Sequence, residues 1–182
     1  MAKLVSKTYG EALFGLAVEE QKLDVLFEEA KAVRDILREN ADFGKLMSHP
    51  KISMEDKVKV AEEVFKNRVS GEMAGFLVIM IEKERYMDLD ATLSYFIDRV
   101  KEEKHIGVAF VTTAVELDKA TRLKIKQRLL ETTRYKEMEM HYTVDSSIIG
   151  GMVIRIGDRV IDSSITTKLN ELKKQLLKIQ LG

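Results

Sequence analysis

The sequence predicts an α+β chain: an all-α six-helix bundle over residues 1–105, then a small α/β domain over residues 106–182 with a short mixed sheet and two helices. Three observations lead there. The first hundred residues repeat apolar side chains at helical spacing and carry no strand signal. After Lys101-Glu-Glu-Lys-His-Ile-Gly107, residues favoured in strands begin. The charge also changes sign there: residues 1–105 hold 17 Lys and Arg against 21 Asp and Glu, and residues 106–182 hold 13 against 9. The formal net charge of the whole chain is zero.

The first helix runs from about Lys3 to Glu20. The second runs from Lys22 to Glu39, with Leu23, Leu26, Ala30, Val33 and Leu37 stepping by three and four, and Asn40 as its stop. A short third helix covers Phe43 to Met47. Pro50 ends it and excludes helix at His49. Ser53-Met-Glu-Asp56 reads as an N-cap with an acid at its third position, opening a fourth helix to about Lys66. Ser70-Gly-Glu-Met opens the fifth, which ends near Arg85. The sixth runs from Asp88 to Lys104, with Leu89, Leu93, Phe96, Ile97 and Val100 inward.

Beyond Gly107 the period changes. Val108 to Ala114 reads as a strand, and Asp118 caps a helix to about Thr133. Met138, Met140, Tyr142 and Val144 alternate with Glu137, Glu139, His141 and Thr143, the pattern of a half-buried strand. Then comes V-D-S-S-I-I-G-G-M-V-I-R-I-G-D-R-V-I-D-S-S-I, from Val144 to Ile165. Gly150 and Gly151 allow backbone angles closed to other residues. Met152 to Ile156 suits a strand buried on both faces. Gly157-Asp158 is turn chemistry, Arg159 to Asp162 resumes as a strand, and Ser163 or Ser164 caps a final helix.

That arrangement resembles the delta subunit family of F-type ATP synthase, the bacterial counterpart of the mitochondrial oligomycin-sensitivity-conferring protein. The motif residues are Gly150, Gly151, Gly157, Asp158, Asp162 and Ser163. The likeness extends along the chain, to Tyr9-Gly-Glu-Ala-Leu-Phe14, Phe76 to Arg85 and Ser164 to Leu177. It implies a non-catalytic stator subunit: the helical domain caps the catalytic head and the second domain anchors the peripheral stalk, so that rotor torque drives ATP synthesis. It also implies one copy per complex and a peripheral place on the cytoplasmic face of the cell membrane. Alone, the chain is expected to be a monomer.

Two features of the residues bear on partners. Helix 1 carries Val5, Tyr9, Ala12, Leu13, Leu16 and Ala17 on one side, and helix 5 is apolar almost all round from Met73 to Ile81. Such helices either form the middle of their own bundle or leave a groove for an amphipathic partner helix. The resemblance favours the groove, filled by the N-terminal helix of the alpha subunit and lined by Tyr9, Ala12, Leu13, Leu16, Ile79 and Met80. In the final helix, Ile165, Leu169, Leu172, Leu176 and Ile179 form a stripe. It either packs on its own sheet or meets a helix of another chain. The resemblance gives the second domain the C-terminal region of the stalk b subunit.

No catalytic chemistry is expected. There are no cysteines, hence no disulfide or thiolate site. Glu137, Glu139 and His141 share a strand face, but a two-residue step on one strand rarely surrounds one ion. The glycines make neither a dinucleotide fingerprint nor a Walker loop, so no nucleotide or other cofactor is expected. The longest apolar run is Phe76 to Ile81, far short of the roughly 20 residues of a membrane span. Lys124, Lys126, Arg128 and Arg134 make one helix basic, but no aromatic-basic motif for nucleic acid accompanies them. The alternative to a stator is a free-standing helical adaptor that binds some other amphipathic helix.

Overall fold

The structure is a computed structural model in which residues 2–170 and 172 are described. The chain divides into two units, Met1–Lys101 and Glu102–Gly182. The α+β class read from the sequence holds.

The first unit is built from α1 (Ala2–Glu19), α2 (Leu23–Glu39), α3 (Ala41–Met47), α4 (Met54–Phe65), α5 (Gly71–Glu82) and α6 (Leu89–Glu103). Their inward stripes meet in one core. Leu13 and Ala17 of α1, Leu26, Ala30 and Val33 of α2, and Met73, Leu77 and Met80 of α5 are at most 1% exposed. Leu93, Phe96 and Val100 of α6 are fully buried beside them. Side-chain caps start two of these helices. The Ser53 hydroxyl accepts from Asp56 N at 3.2 Å, and that of Ser70 from Met73 N at 3.3 Å. Ser70 is itself pinned, because its N–H and hydroxyl both donate to the Glu29 carboxylate at 2.7 Å, tying the start of α5 to α2.

Helix ends are where the structure departs from the expected boundaries. α5 stops at Glu82 rather than near Arg85. Glu84 N donates to Ile81 O and Arg85 N to Met80 O, with Glu84 at φ 55°, which is a Schellman stop made without glycine. A short 3-10 turn, Tyr86–Asp88, then leads into α6. α1 closes the same way, with Gln21 at φ 55° and Lys22 N donating to Ala17 O. α3 begins at Ala41, two residues earlier than expected.

The second unit is a four-stranded mixed sheet of order β2-β1-β3-β4, from β1 (Ile106–Thr113), β2 (Glu137–Val144), β3 (Met152–Ile156) and β4 (Arg159–Asp162). β1 is parallel to β2 and antiparallel to β3, and β3 is antiparallel to β4. The parallel pair needs a crossover, which α7 (Lys119–Thr132) supplies after the Asp118 cap. Leu129 of α7 packs with Ala109, Val111, Met138 and Ile154 to form the core of this unit. The opposite face is open among the described residues, so β3 is not buried on both faces as its composition suggested: of its five residues only Ile154 is buried, and Arg155 is exposed. A buried-strand reading fails because, among the described residues, only one side of the sheet is packed against a helix, α7.

The segment from Asp145 to Thr167 closes this unit. Ile148 and Gly150 are joined by a 2.7 Å hydrogen bond from Gly150 N, with Ile149 between them at φ 64° and ψ −43°. This is a γ-turn of the strained hand, unusual for a β-branched residue. Gly151 follows at φ 81°, and a Cβ there would lie 2.5 Å from Ser163 O and 3.0 Å from Ser164 Cα. That close approach lets Ser163 N and its hydroxyl both donate to Met152 O at 3.0 Å, and Ile165 N to Gly150 O at 2.9 Å. Ser164, rather than Ser163, is the cap: its buried hydroxyl accepts from Thr167 N. The Asp162 carboxylate accepts from the Thr167 hydroxyl at 2.7 Å and Ser164 N at 2.8 Å, and these bonds hold its pKa below the usual carboxylate value. Gly157, at φ 55°, and Asp158 form the β3–β4 turn. Residues 165–170 then run as helix.

Two expectations follow. Gly151→Asp meets both a forbidden backbone angle and main-chain atoms, and should destabilise the chain by about 3 kcal/mol or more. An unchanged thermal midpoint would refute the assigned junction. Ile149→Gly should act oppositely. It relieves the strained turn while losing little burial, since Ile149 is 64% exposed, and should gain about 1 kcal/mol net of the added chain entropy. A fall in stability by chemical denaturation would contradict this.

Candidate functional site

The six residues assigned to a groove on the first unit separate by burial. Leu13 and Met80 are 1% and 0% exposed and belong to the core, so they can only back a surface. Tyr9 and Leu16 are half-buried, and Ala12 and Ile79 are exposed. Tyr9 also packs against the common core. On α5 the inward residues are Met73, Phe76, Leu77, Met80 and Ile81, which leaves Gly75 and Ile79 facing out.

Two residues that the sequence reading did not single out lie on these same helices. Gly15 and Gly75 are exposed, within α1 and α5, and a Cβ at either would meet nothing within 4 Å. A glycine inside a helix costs about 1 kcal/mol relative to alanine. Gly10 has its reason within the chain, since a Cβ there would strike the Tyr95 ring at 2.5 Å. Gly15 and Gly75 have no such internal reason. A glycine inside an otherwise helical pattern was the available signal.

Another part of α1 is engaged by α6. Glu11 accepts from the Tyr95 hydroxyl at 2.5 Å, and the Arg99 guanidinium lies 4.6 Å over the Phe14 ring. Phe14, half-buried, thus meets α6. At the start of α5, Lys22 Nζ donates to Glu72 at 2.6 Å. This contact raises the pKa of the lysine and lowers that of the glutamate.

On the second unit the open sheet face carries a ladder of its own. Phe110 stacks on His141 with centroids 5.0 Å apart, and the Arg155 guanidinium lies 4.9 Å over the same ring. His141 Nε2 is 2.9 Å from Glu139 Oε1. Among the described residues no group of three His, Cys, Asp or Glu is arranged to hold a metal ion. On the other side, a cavity of about 550 Å3 opens between the end of α7 and the β3–β4 hairpin. Beyond the sheet, Ile165, Leu169 and Leu172 of the final helix are 43%, 53% and 51% exposed, so this part of the stripe is not packed away. Leu176 and Ile179, assigned to the same stripe, lie outside the described residues. Among the described residues no helix is long and apolar enough to cross a membrane.

Comparison with known proteins places the chain in a family. The family model described as ATP synthase delta (OSCP) subunit matches residues 5–176. ATP synthase subunit delta of Lachnoclostridium phytofermentans is 56% identical over 182 residues, covering all of both chains. That of Clostridium botulinum is 32% identical over 179 residues, covering 98% of this chain and 99% of its own. In fold, the chain is similar to one from a Toxoplasma gondii mitochondrial ATP synthase hexamer, with a TM-score of 0.75 at 22% identity, covering 94% of this chain and 97% of that one. The matches span both units, the helical one and the mixed sheet, and the chain belongs to the ATP synthase delta (OSCP) subunit family.

Proposed function

We propose that the two units are the two ends of a mechanical link: the first holds the N-terminal helix of the alpha subunit on the catalytic head, and the second holds the C-terminal region of the peripheral-stalk b subunit. As a member of its family the chain is a non-catalytic component of the F-type ATP synthase stator. Its task is to resist torque, so that rotation of the rotor is converted into work in the catalytic sites. In this reading it lies at the cytoplasmic face of the cell membrane, held there by its partners.

The observation that carries the first contact is the set of small or apolar residues that α1 and α5 each turn outward. Ala12, Gly15, Gly75 and Ile79 are small or apolar and exposed, and helices pack closest where side chains are smallest. A partner helix laid on such residues buries their backbone and supplies the reason the glycines lack internally. Tyr9 and Leu16 would flank it, over the buried Leu13 and Met80. The second contact draws on the exposed apolar residues of the hairpin and final helix, Ile161, Ile165, Leu169 and Leu172. Two contacts on one chain reinforce each other, because release of one leaves the other at high effective concentration.

The first contact is tested with a synthetic peptide of the alpha-subunit N-terminus titrated into the full chain. Ala12→Asp places an unpaired charge under the peptide and should weaken binding about tenfold or more. Gly75→Gln should also weaken it, while raising the stability of the chain by about 0.5–1 kcal/mol through helix propensity. Undiminished binding in both folded variants would remove α1 and α5 from the interface.

A further inference from the structure

The α7 side of the sheet is covered over only half its width. α7 lies against β2, and Leu129, Ile125 and Leu130 fill the space above Ala109, Val111, Met138 and Ile154. Toward β4 this cover stops. In the β3–β4 register, Ile161 stands opposite Ile154 and Arg159 opposite Ile156, so both side chains emerge on the α7 face. Ile161 is nevertheless 50% exposed. Among the described residues, the final-helix positions Ile165, Leu169 and Leu172 are themselves about half exposed and do not supply the missing cover.

The result is the cavity between α7 and the hairpin. Its floor is apolar, from Leu129, Ile156 and Ile161. Its rim carries Arg134, Arg159 and His105, with Glu102 as the one carboxylate among the described residues. Among the described residues no carboxylate pairs with Arg134 or Arg159.

We propose that this trough is the seat of the stalk: an amphipathic helix lies beside α7, apolar face on Ile156 and Ile161, with acidic residues toward Arg134 and Arg159. The proposal rests on the reading that the second unit binds the stalk, and adds which face does so and what charge the stalk segment carries. The width fits, because two uncovered strands take about one helix. The unpaired guanidiniums call for carboxylates. Residues 173–182 of this chain are a poor occupant, since they hold Lys173, Lys174 and Lys178 and no acidic side chain. A second copy docked about a two-fold axis would bring the same arginines against each other. The opposite sheet face is a poor seat, because Arg155, Phe110, His141 and Glu139 already engage one another there.

The test titrates the full chain with the non-membrane part of the b subunit from the same organism. Ile161→Asp should weaken binding about tenfold or more, and so should Arg134→Glu combined with Arg159→Glu. The arginine variant should also flatten the salt dependence of the affinity. Val160→Asp, on the opposite face, should leave the affinity as it is. Unchanged binding by the Ile161 and arginine variants, or loss caused by Val160→Asp instead, would overturn the trough while leaving the stalk reading intact. Tighter binding after truncation beyond Leu172 would mean that the chain's own end fills the trough, and would also overturn it. Absence of binding by the unmodified chain would defeat the stalk reading itself.

Discussion

A single helix about 10 Å wide cannot cover a sheet whose four strands occupy about 19 Å. That shortfall shapes the second unit. α7 is placed by its crossover role over the parallel pair β1 and β2, so the apolar residues of the hairpin β3–β4 have no layer above them among the described residues. The first unit has the corresponding property in another form. Its core is finished, with Leu13, Ala17, Met73, Leu77 and Met80 at most 1% exposed, yet α1 and α5 present glycines and apolar residues outward. A free-standing protein gains nothing from either feature. Both suit the proposed link between two larger bodies.

The hairpin holds its place through one tight junction. Gly151 brings the backbone within reach of Ser163 and Ser164, so that β4 closes on Met152 and the final helix starts at the buried Ser164 hydroxyl. Asp162 ties the same turn to Thr167. The strain at Ile149 belongs to this junction, because the chain must reverse within one residue before the glycine pair. These contacts fix where Arg159 and Ile161 emerge, and so connect the motif in the sequence to a surface rather than to a reaction.

Much of this was legible from the residues alone. Alternation in Met138 to Val144, the Asp118, Ser53 and Ser70 caps and the Gly157-Asp158 turn act locally, and the elements follow them. The helix end after α5 was not legible, because Glu84 takes a left-handed angle that ordinarily announces itself with glycine. The β3 reading failed for a different reason. Five residues in a row say that a strand is apolar, but the number of helices covering its sheet is a property of the whole unit. Likewise, periodicity put Leu13, Leu16, Ile79 and Met80 on apolar helices without dividing floor from surface, since in α5 almost every face is apolar. Gly15 and Gly75 marked that surface in the sequence, but only the open space around them gives the mark its meaning.

The central claim is that both units are incomplete until partner helices cover them. Amide hydrogen exchange of the full chain, alone and within the assembled ATP synthase, tests it most directly. The account predicts added protection in α1 and α5 and, separately, in β3–β4 and the end of α7. Protection confined to other segments, with these four exchanging alike in both states, would contradict it.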